Sequence, residues 1–396
     1  MQFKVLFHKI ILSLRPKLIL MVEYYIIFSI FVTSGLFLAC GLMFFFVAVP
    51  ENPLLGNYRK ARYTIAVTYL FFIPMNLLEY LFSASNGQNI PLFSTVSLAI
   101  SISQAFLFTY ALLALLDVRF PGWSYFFRQA ILVLLFITVV FTVYVFCPEN
   151  YFSVVFFVLT GVYALLLGYY TIIFVTNYRR FRLRMDNYFS DFEVVRLHWV
   201  NFSFFAALSI GVMALLSIVF MSTFIALLFT IVFNLFYIWF AIRFINYPFR
   251  FRTIEAAMTD DIVEESTSTE IEKPITNNNV ETLNSPVFIA LDERIDQWIA
   301  GKGFIEKGIT IDILASKLFT NRNYLSACIN TGRKQTFREW INELRIEEAK
   351  TLTRQHPAMT INEIAFQVGY TDKSHLIRQF TKQTGASFKK WKQLKS

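Results

Sequence analysis

The chain has 396 residues, 46 of them Phe; 56% are apolar, only 16% are charged, and the formal net charge is +9. A soluble domain carries about 45–50% apolar and about 25% charged residues, so one ordinary soluble domain is excluded. The three cysteines, Cys40, Cys147 and Cys328, and the four histidines, His8, His198, His356 and His375, are dispersed without CxxC or HExxH spacing. Neither a zinc site nor a disulfide framework is indicated, and no P-loop or kinase pattern is present.

The apolar excess is confined to residues 1–252. About 20 apolar residues are needed to cross a bilayer core of about 30 Å. Seven stretches meet that length: 24–49, 63–82, 91–116, 130–146, 151–175, 198–220 and 223–245. Only Met221 and Ser222 separate the last two, so one long buried hairpin is the alternative there. Lys and Arg collect in alternate gaps: Arg59, Lys60 and Arg62; Arg119 and Arg128; Arg179 through Arg196; and Arg243, Arg250 and Arg252. Cytoplasmic loops collect such residues, which predicts a cytoplasmic C-terminus and, with seven spans, an outside N-terminus. Lys4, Lys9, Arg15 and Lys17 violate that orientation. Initiation at Met21 removes the conflict; an interfacial amphipathic helix over the first twenty residues is the alternative.

Polar residues within spans are functional candidates by default. Here they are Asn76, Glu79, Gln104, Asn201 and Asn234, and interhelical hydrogen bonding is the plainer expectation for them. Pro74 is expected to kink the second span. No chain of intramembrane Asp, Glu and His resembling a proton relay is present.

Residues 253–285 hold eight acidic residues against Lys273 alone, with Pro274 and an Asn277-Asn278-Asn279 run. This composition predicts a flexible acidic tether, with an r.m.s. reach of about 30 Å. A flexible tether favours clustering or proteolytic release over a rigid push as the route of signalling. Residues 286–396 are different again. Eighteen Lys and Arg face eleven Asp and Glu, a net charge of +7, which suits a polyanionic partner.

Within this basic segment, Thr310-Ile311-x-x-Leu314-Ala315-x-x-Leu318 recurs fifty residues later as Thr360-Ile361-x-x-Ile364-Ala365-x-x-Val368. Thr336-Phe337-x-x-Trp340 recurs fifty-one later as Ser387-Phe388-x-x-Trp391. The one-residue slip is expected in the turns. Apolar residues at i, i+3, i+4 and i+7 make each first element an amphipathic helix. Thr360 and Glu363 form a capping box, and Gly369 supplies freedom for a tight turn. Second helices are expected near Asn321 and Asp372, and a helix over residues 337–354 joins the copies. The result is two helix-turn-helix units, whose second helices enter the major groove.

Residues 320–329, the run Phe337-Arg338-Glu339-Trp340 through Lys350, Thr360 through Tyr370, and Ser374-His375-Leu376-Ile377-Arg378-Gln379-Phe380 resemble the AraC/XylS family. With apolar spans ahead, the whole looks like the membrane-anchored regulators of Bacteroidetes-type bacteria. The resemblance implies promoter binding, with base contacts falling on Asn323, Ser326 and Ala327, then on Ser374, His375 and Arg378. Ala327 cannot hydrogen-bond a base edge, and Lys334 stands where a glycine is common in the family; both departures weigh against base reading by the first unit. Arg378 can engage guanine bidentately. Arg322, Asn330, Lys373 and Lys382 are expected on phosphates. Tyr324, Leu325, Cys328, Leu376 and Phe380 are expected in the core.

The expected architecture is therefore all-α. A seven-span transmembrane bundle occupies 1–252, an acidic linker 253–285 and a cytoplasmic double helix-turn-helix domain 286–396. The expected function is regulation of transcription from a bacterial inner membrane, without catalysis or cofactor. The expected partners are double-stranded promoter DNA, the lipid bilayer, RNA polymerase, a second copy, and a signal ligand or membrane protein. A transporter or receptor with a partner-recruiting C-terminal domain is the alternative function.

Overall fold

The computed structural model describes residues 28–74, 76–78, 90–117, 122–191, 197–220, 223–249, 251, 254–255, 257 and 286–395. Several expectations lie outside these residues: the basic N-terminus with Met21, Glu79, the gap between the second and third spans up to residue 89, Arg119, Arg196, Arg250, Arg252, and the tether over 258–285. Among the described residues every regular element is a helix, apart from one isolated bridge between Phe189 and Thr310. It divides into two compact units, Met1–Tyr178 with Leu197–Glu255, and Arg179–Arg196 with Ala256–Ser396.

The first unit contains α1 (Ser34–Phe46), α2 (Gly56–Leu70), α3 (Ile90–Leu116), α4 (Trp123–Phe146), most of α5 (Glu149–Tyr188), α6 (His198–Phe220) and α7 (Thr223–Ile245). Five stretches are long and apolar enough to cross a membrane: Pro53–Leu78, Ser94–Leu116, Trp123–Phe146, Asn150–Tyr188 and Leu228–Phe249. The apolar helices Ile30–Phe46 and His198–Met213 are shorter. The seven expected spans thus become five of full length among the described residues. The first expected span began at residue 24, ahead of the described chain.

Local chemistry sets several of these boundaries. The Asn52 side chain accepts from the Leu54 N–H at 2.9 Å and opens the turn that leads into α2. Arg59, Lys60 and Arg62 therefore lie on that helix rather than in a loop before it. The regular helix breaks at Phe71, just ahead of Pro74, whose ring nitrogen cannot bond the Leu70 carbonyl.

Of the five long apolar stretches, that of α3 is the most enclosed and that of α5 the least. The neighbours of α3 are α2, α4 and α6. Rings fill the interior: Phe37, Tyr69, Phe72, Phe233 and Tyr237 meet at centroid distances of 4.5–5.6 Å for the pairs that include Phe37. Hydroxyls at the ends of buried tyrosines donate across helices, Tyr69 to the Tyr237 carbonyl at 2.6 Å and Tyr247 to the Leu115 carbonyl at 2.7 Å. Such rings place apolar area and a satisfied polar group in one residue. Asn234 donates to Thr33 Oγ1 at 2.9 Å and Asn76 to Ser34 Oγ at 3.2 Å. Two of the expected polar residues thus do join helices. Asn201 is half-buried, and Gln104 Nε2 has no hydrogen-bond partner among the described residues.

Helices α4 and α5 turn large apolar side chains outward, among them Leu134, Leu135, Phe157, Leu165 and Ile172. Water-soluble monomers rarely expose contiguous apolar patches of more than a few hundred Å². Helix α5 is 40 residues long, about 60 Å at about 1.5 Å per residue and twice a bilayer core. It was expected to end near residue 175, but it continues through the arginines to Tyr188. The helix's residues from Arg179 to Tyr188 group with the second unit.

Candidate nucleic-acid interface

The second unit contains two helix pairs. Helices α8 (Pro286–Ala300), α9 (Ile311–Lys317) and α10 (Arg322–Ala327) precede α11 (Phe337–Gln355). Helices α12 (Ile361–Gln367), α13 (Lys373–Thr384) and α14 (Phe388–Lys395) follow it. Side-chain oxygens cap five of these helices. Thr310 accepts from the Ile313 N–H, Asn321 from Tyr324, Thr336 from Glu339, Thr360 from Glu363 and Asp372 from His375. The expected capping box at Thr360 forms, and Thr336 with Glu339 forms a second. Each cap satisfies an N–H that has no carbonyl within its helix.

The repeat shows where the one-residue slip falls. Leu318 and Val368 are both buried. Thr320 N–H reaches the Ala315 carbonyl at 3.0 Å and Tyr370 N–H reaches that of Ala365 at 2.9 Å, still fifty residues apart. The next caps, Asn321 and Asp372, are fifty-one apart. The extra residue is Thr371, inside the second turn. Both turns need a left-handed residue, supplied by Phe319 (φ 51°) in the first copy and by Gly369 (φ 90°) in the second. A Cβ on Gly369 would also lie 2.3 Å from the Ile305 carbonyl oxygen, so close approach demands glycine there as much as φ does.

Around the second pair, Ile346, Ala349, Ile364, Ala365, Val368, Leu376, Phe380 and Phe388 form one core with Tyr370. The Tyr370 hydroxyl donates to Asn342 Oδ1 at 2.8 Å on the connecting helix. Leu325, Cys328, Leu376 and Phe380 are buried as expected, whereas Tyr324 is half-buried against Phe288. Helix α11 has 19 residues, about 28 Å. Successive major-groove segments on one DNA face are about 34 Å apart, so its length suits one chain addressing both.

The sequence-derived contact residues fall into distinct settings. On α13, Lys373, Ser374, Arg378 and Lys382 are exposed, and Ser374, Arg378 and Lys382 recur every four residues along one face. Lys382 Nζ is 3.5 Å from Glu339 on α11, with both side chains mostly exposed. A surface pair of this kind contributes little. His375 is only 1% exposed and packs edge-on against Tyr370 at 4.9 Å. Its expected base contact is therefore not offered by an exposed side chain; the imidazole packs into the core beneath the exposed face of α13.

On α10, Asn323 is exposed, and Ser326 and Ala327 are half-buried. Asn330 is exposed and donates to Ser326 Oγ at 3.0 Å. Arg322 is half-buried. Its guanidinium lies 4.8 Å from the centre of the Tyr188 ring and 3.9 Å from Asp312, and burial lowers its pKa from the ordinary value.

The residues that sequence reasoning missed lie between Arg179 and Asp191. Asp191, 9% exposed, accepts from Arg345 Nη1 at 2.8 Å and from the Gly308 N–H at 3.0 Å. Ser190 donates from both its N–H and its hydroxyl to the Ile309 carbonyl. The Tyr188 hydroxyl donates to Asp312 Oδ2 at 2.7 Å, and Asp186 lies 3.0 Å from Arg338 Nη1. The only sequence signal was the appearance of Asp186 and Asp191 at the end of an arginine-rich run.

The carboxylates at the caps are electrostatically tuned. Asp372 is held below its ordinary value, first by the His375 N–H. Glu363 is held below its own by the Thr360 N–H and hydroxyl. Burial pushes Glu339 up, but Thr336 and Lys382 together outweigh it and the net shift is down.

Residues 314–394 match the family described as a helix-turn-helix domain. Over 101 residues the chain is 29% identical to a protein of Escherichia coli (strain K12) named as the uncharacterized HTH-type transcriptional regulator YijO. That similarity covers 26% of this chain, and the chain spans only 33% of the relative. No solved structure matches. Two capped helix pairs at the spacing of the repeat, with a family match reaching across both, make the C-terminal part of this chain an AraC-type helix-turn-helix domain.

Proposed function

We propose that the chain is a sequence-specific regulator of transcription held in a bacterial cytoplasmic membrane. It acts by binding rather than by catalysis. A membrane domain occupies 1–252, an acidic linker 253–285 and a cytoplasmic DNA-binding domain 286–396. The observation that carries this reading is the tandem of capped helix pairs on one stiff connecting helix. The outward apolar faces of α4 and α5 support the membrane assignment. The two shorter apolar helices bring the number of apolar segments among the described residues to seven, in keeping with the alternation of Lys and Arg along the sequence.

Promoter DNA is the ligand. Ser374 and Arg378 read bases from α13, with Asn323 and Ser326 offering weaker reading from α10. Arg322, Asn330, Lys373 and Lys382 take phosphates, and His375 holds the α13 backbone in place from within the core. RNA polymerase, a second copy of the chain and a membrane-borne signal complete the set of partners. The deciding experiment is selection from random duplexes by the full chain in nanodiscs. Enrichment of one motif, with affinity falling as salt rises, is the expected result. Binding without sequence preference would remove the regulator reading.

A further inference from the structure

We propose that residues 186–191 form an intrachain latch on the DNA-binding domain, and that this latch and DNA compete for Arg322. The inference rests on the DNA-binding reading above and adds to it a means of control. The latch has two parts with different chemistry. Its anchor is Ser190 and Asp191. Asp191 pairs with Arg345, whose side chain is wholly buried and also donates to the Phe304 and Glu306 carbonyls at 2.9 and 2.7 Å. Ser190 and Asp191 also bond the backbone of Ile309 and Gly308, just ahead of α9. Removing one partner of a buried pair is strongly destabilising, so the anchor stays closed.

The gate is Asp186 and Tyr188. Tyr188 covers the Arg322 guanidinium and ties its own hydroxyl to Asp312, while Asp186 neutralises Arg338. Asp186 and Arg338 each keep about a sixth of their side-chain surface, so water and phosphate can reach this pair. The Tyr188 ring covers one face of the guanidinium, while Nη1 is buried and Nε faces Asp312 at 3.9 Å, so the in-plane N–H edges that would meet a phosphate are closed off. DNA must therefore displace Tyr188 to use Arg322. The gate residues are the last turn of α5, so a shift of that helix carries them with it. This route to the domain is separate from the acidic tether.

The test uses the full chain in nanodiscs. A Tyr188→Ala, Asp186→Ala double variant opens the gate and leaves the Arg345–Asp191 anchor intact. If a tenth of the wild-type molecules are open, the variant binds the selected duplex about tenfold more tightly. Adding Arg322→Ala to the double variant should abolish that gain. Hydrogen exchange supplies an independent reading: DNA should speed exchange in the peptide covering residues 186–190 of the wild type. Equal affinities for wild type and double variant, or DNA binding with that peptide's exchange unchanged, would overturn the latch and leave the DNA-binding reading standing. If neither chain binds any duplex at any salt concentration, the DNA-binding reading itself fails and the latch fails with it.

Discussion

Arg345 Nη1 lies 2.8 Å from Asp191 Oδ1 across 154 residues of sequence, with the arginine wholly buried. The pair joins the end of the α5 segment to the helix that connects the two helix-turn-helix units. Asp191→Ala leaves a buried guanidinium with only its two carbonyl partners. The expected cost is about 3–5 kcal/mol, read as a lower urea midpoint for the fluorescence of Trp298 and Trp340. A midpoint shift equivalent to less than about 0.5 kcal/mol, the size typical of surface substitutions, would mean that the pair does not hold this segment in place.

The caps make the second helix pair sensitive to acid. The Asp372 and Glu363 carboxyls bind protons less tightly when folded, because backbone N–H groups and a hydroxyl favour the charged form. Their contribution is complete above the unfolded-state values of about 4 and is lost as pH falls through the lower folded values. Asp372→Ala should cost about 1 kcal/mol at neutral pH and flatten the acid limb of the stability curve. Thermal unfolding between pH 3 and pH 7 checks both outcomes. An acid limb as steep as that of the wild type would place the titration elsewhere.

The two turns should respond oppositely to exchange of their left-handed residues. Phe319 is 88% exposed and holds φ at 51°, a conformation costing a side-chain-bearing residue about 1–2 kcal/mol. Phe319→Gly should therefore raise stability by up to about 1 kcal/mol after its own entropy cost. Gly369→Ala should lower stability by about 2 kcal/mol or more, since the new methyl meets strain and the Ile305 carbonyl together. Melting temperatures of the two variants, measured side by side, give the signs.

The fifty-residue repeat made the DNA-binding fold legible in sequence, because each of its signals is local. Caps, a 3.6-residue period and a turn glycine all act within ten residues. The first turn was read from the repeat alone, since nothing in the Phe319 side chain announces φ > 0. The exposed α13 cations came with the family resemblance, which also placed His375 among the contacts; its burial was not legible, because it depends on the Tyr370 ring from the preceding turn. The α5 segment was read as a loop because arginines ended the apolar run. Helix formation does not require apolar residues, and arginine is a good helix former. Asp191 and Arg345 are a long-range pair, and nothing within either one's local sequence marks the other.

The membrane reading makes a separate prediction. Reporter fusions after Pro148 and after Arg184 should report opposite compartments, the second cytoplasmic. The two points flank most of α5, which is long enough to cross a bilayer. The same compartment at both points would mean that α5 does not cross.

Arg378 and Lys382 sit one turn apart on the exposed face of α13 and should fail in different ways when truncated. A guanidinium can bond a guanine through two parallel contacts, so Arg378→Ala should cost about 1–3 kcal/mol and relax preference at one base position. An ammonium on a flexible stem meets phosphate as a point charge. Lys382→Ala should therefore weaken all duplexes alike and reduce the salt slope by about one. Its present partner, Glu339, is a surface carboxylate, and Glu339→Gln should release Lys382 and modestly tighten binding to every sequence. Selection from random duplexes, repeated at two salt concentrations for each variant, separates the roles. An unchanged base profile for Arg378→Ala would move base reading elsewhere on α13. A sequence-dependent loss for Lys382→Ala would make that lysine a reader rather than an anchor.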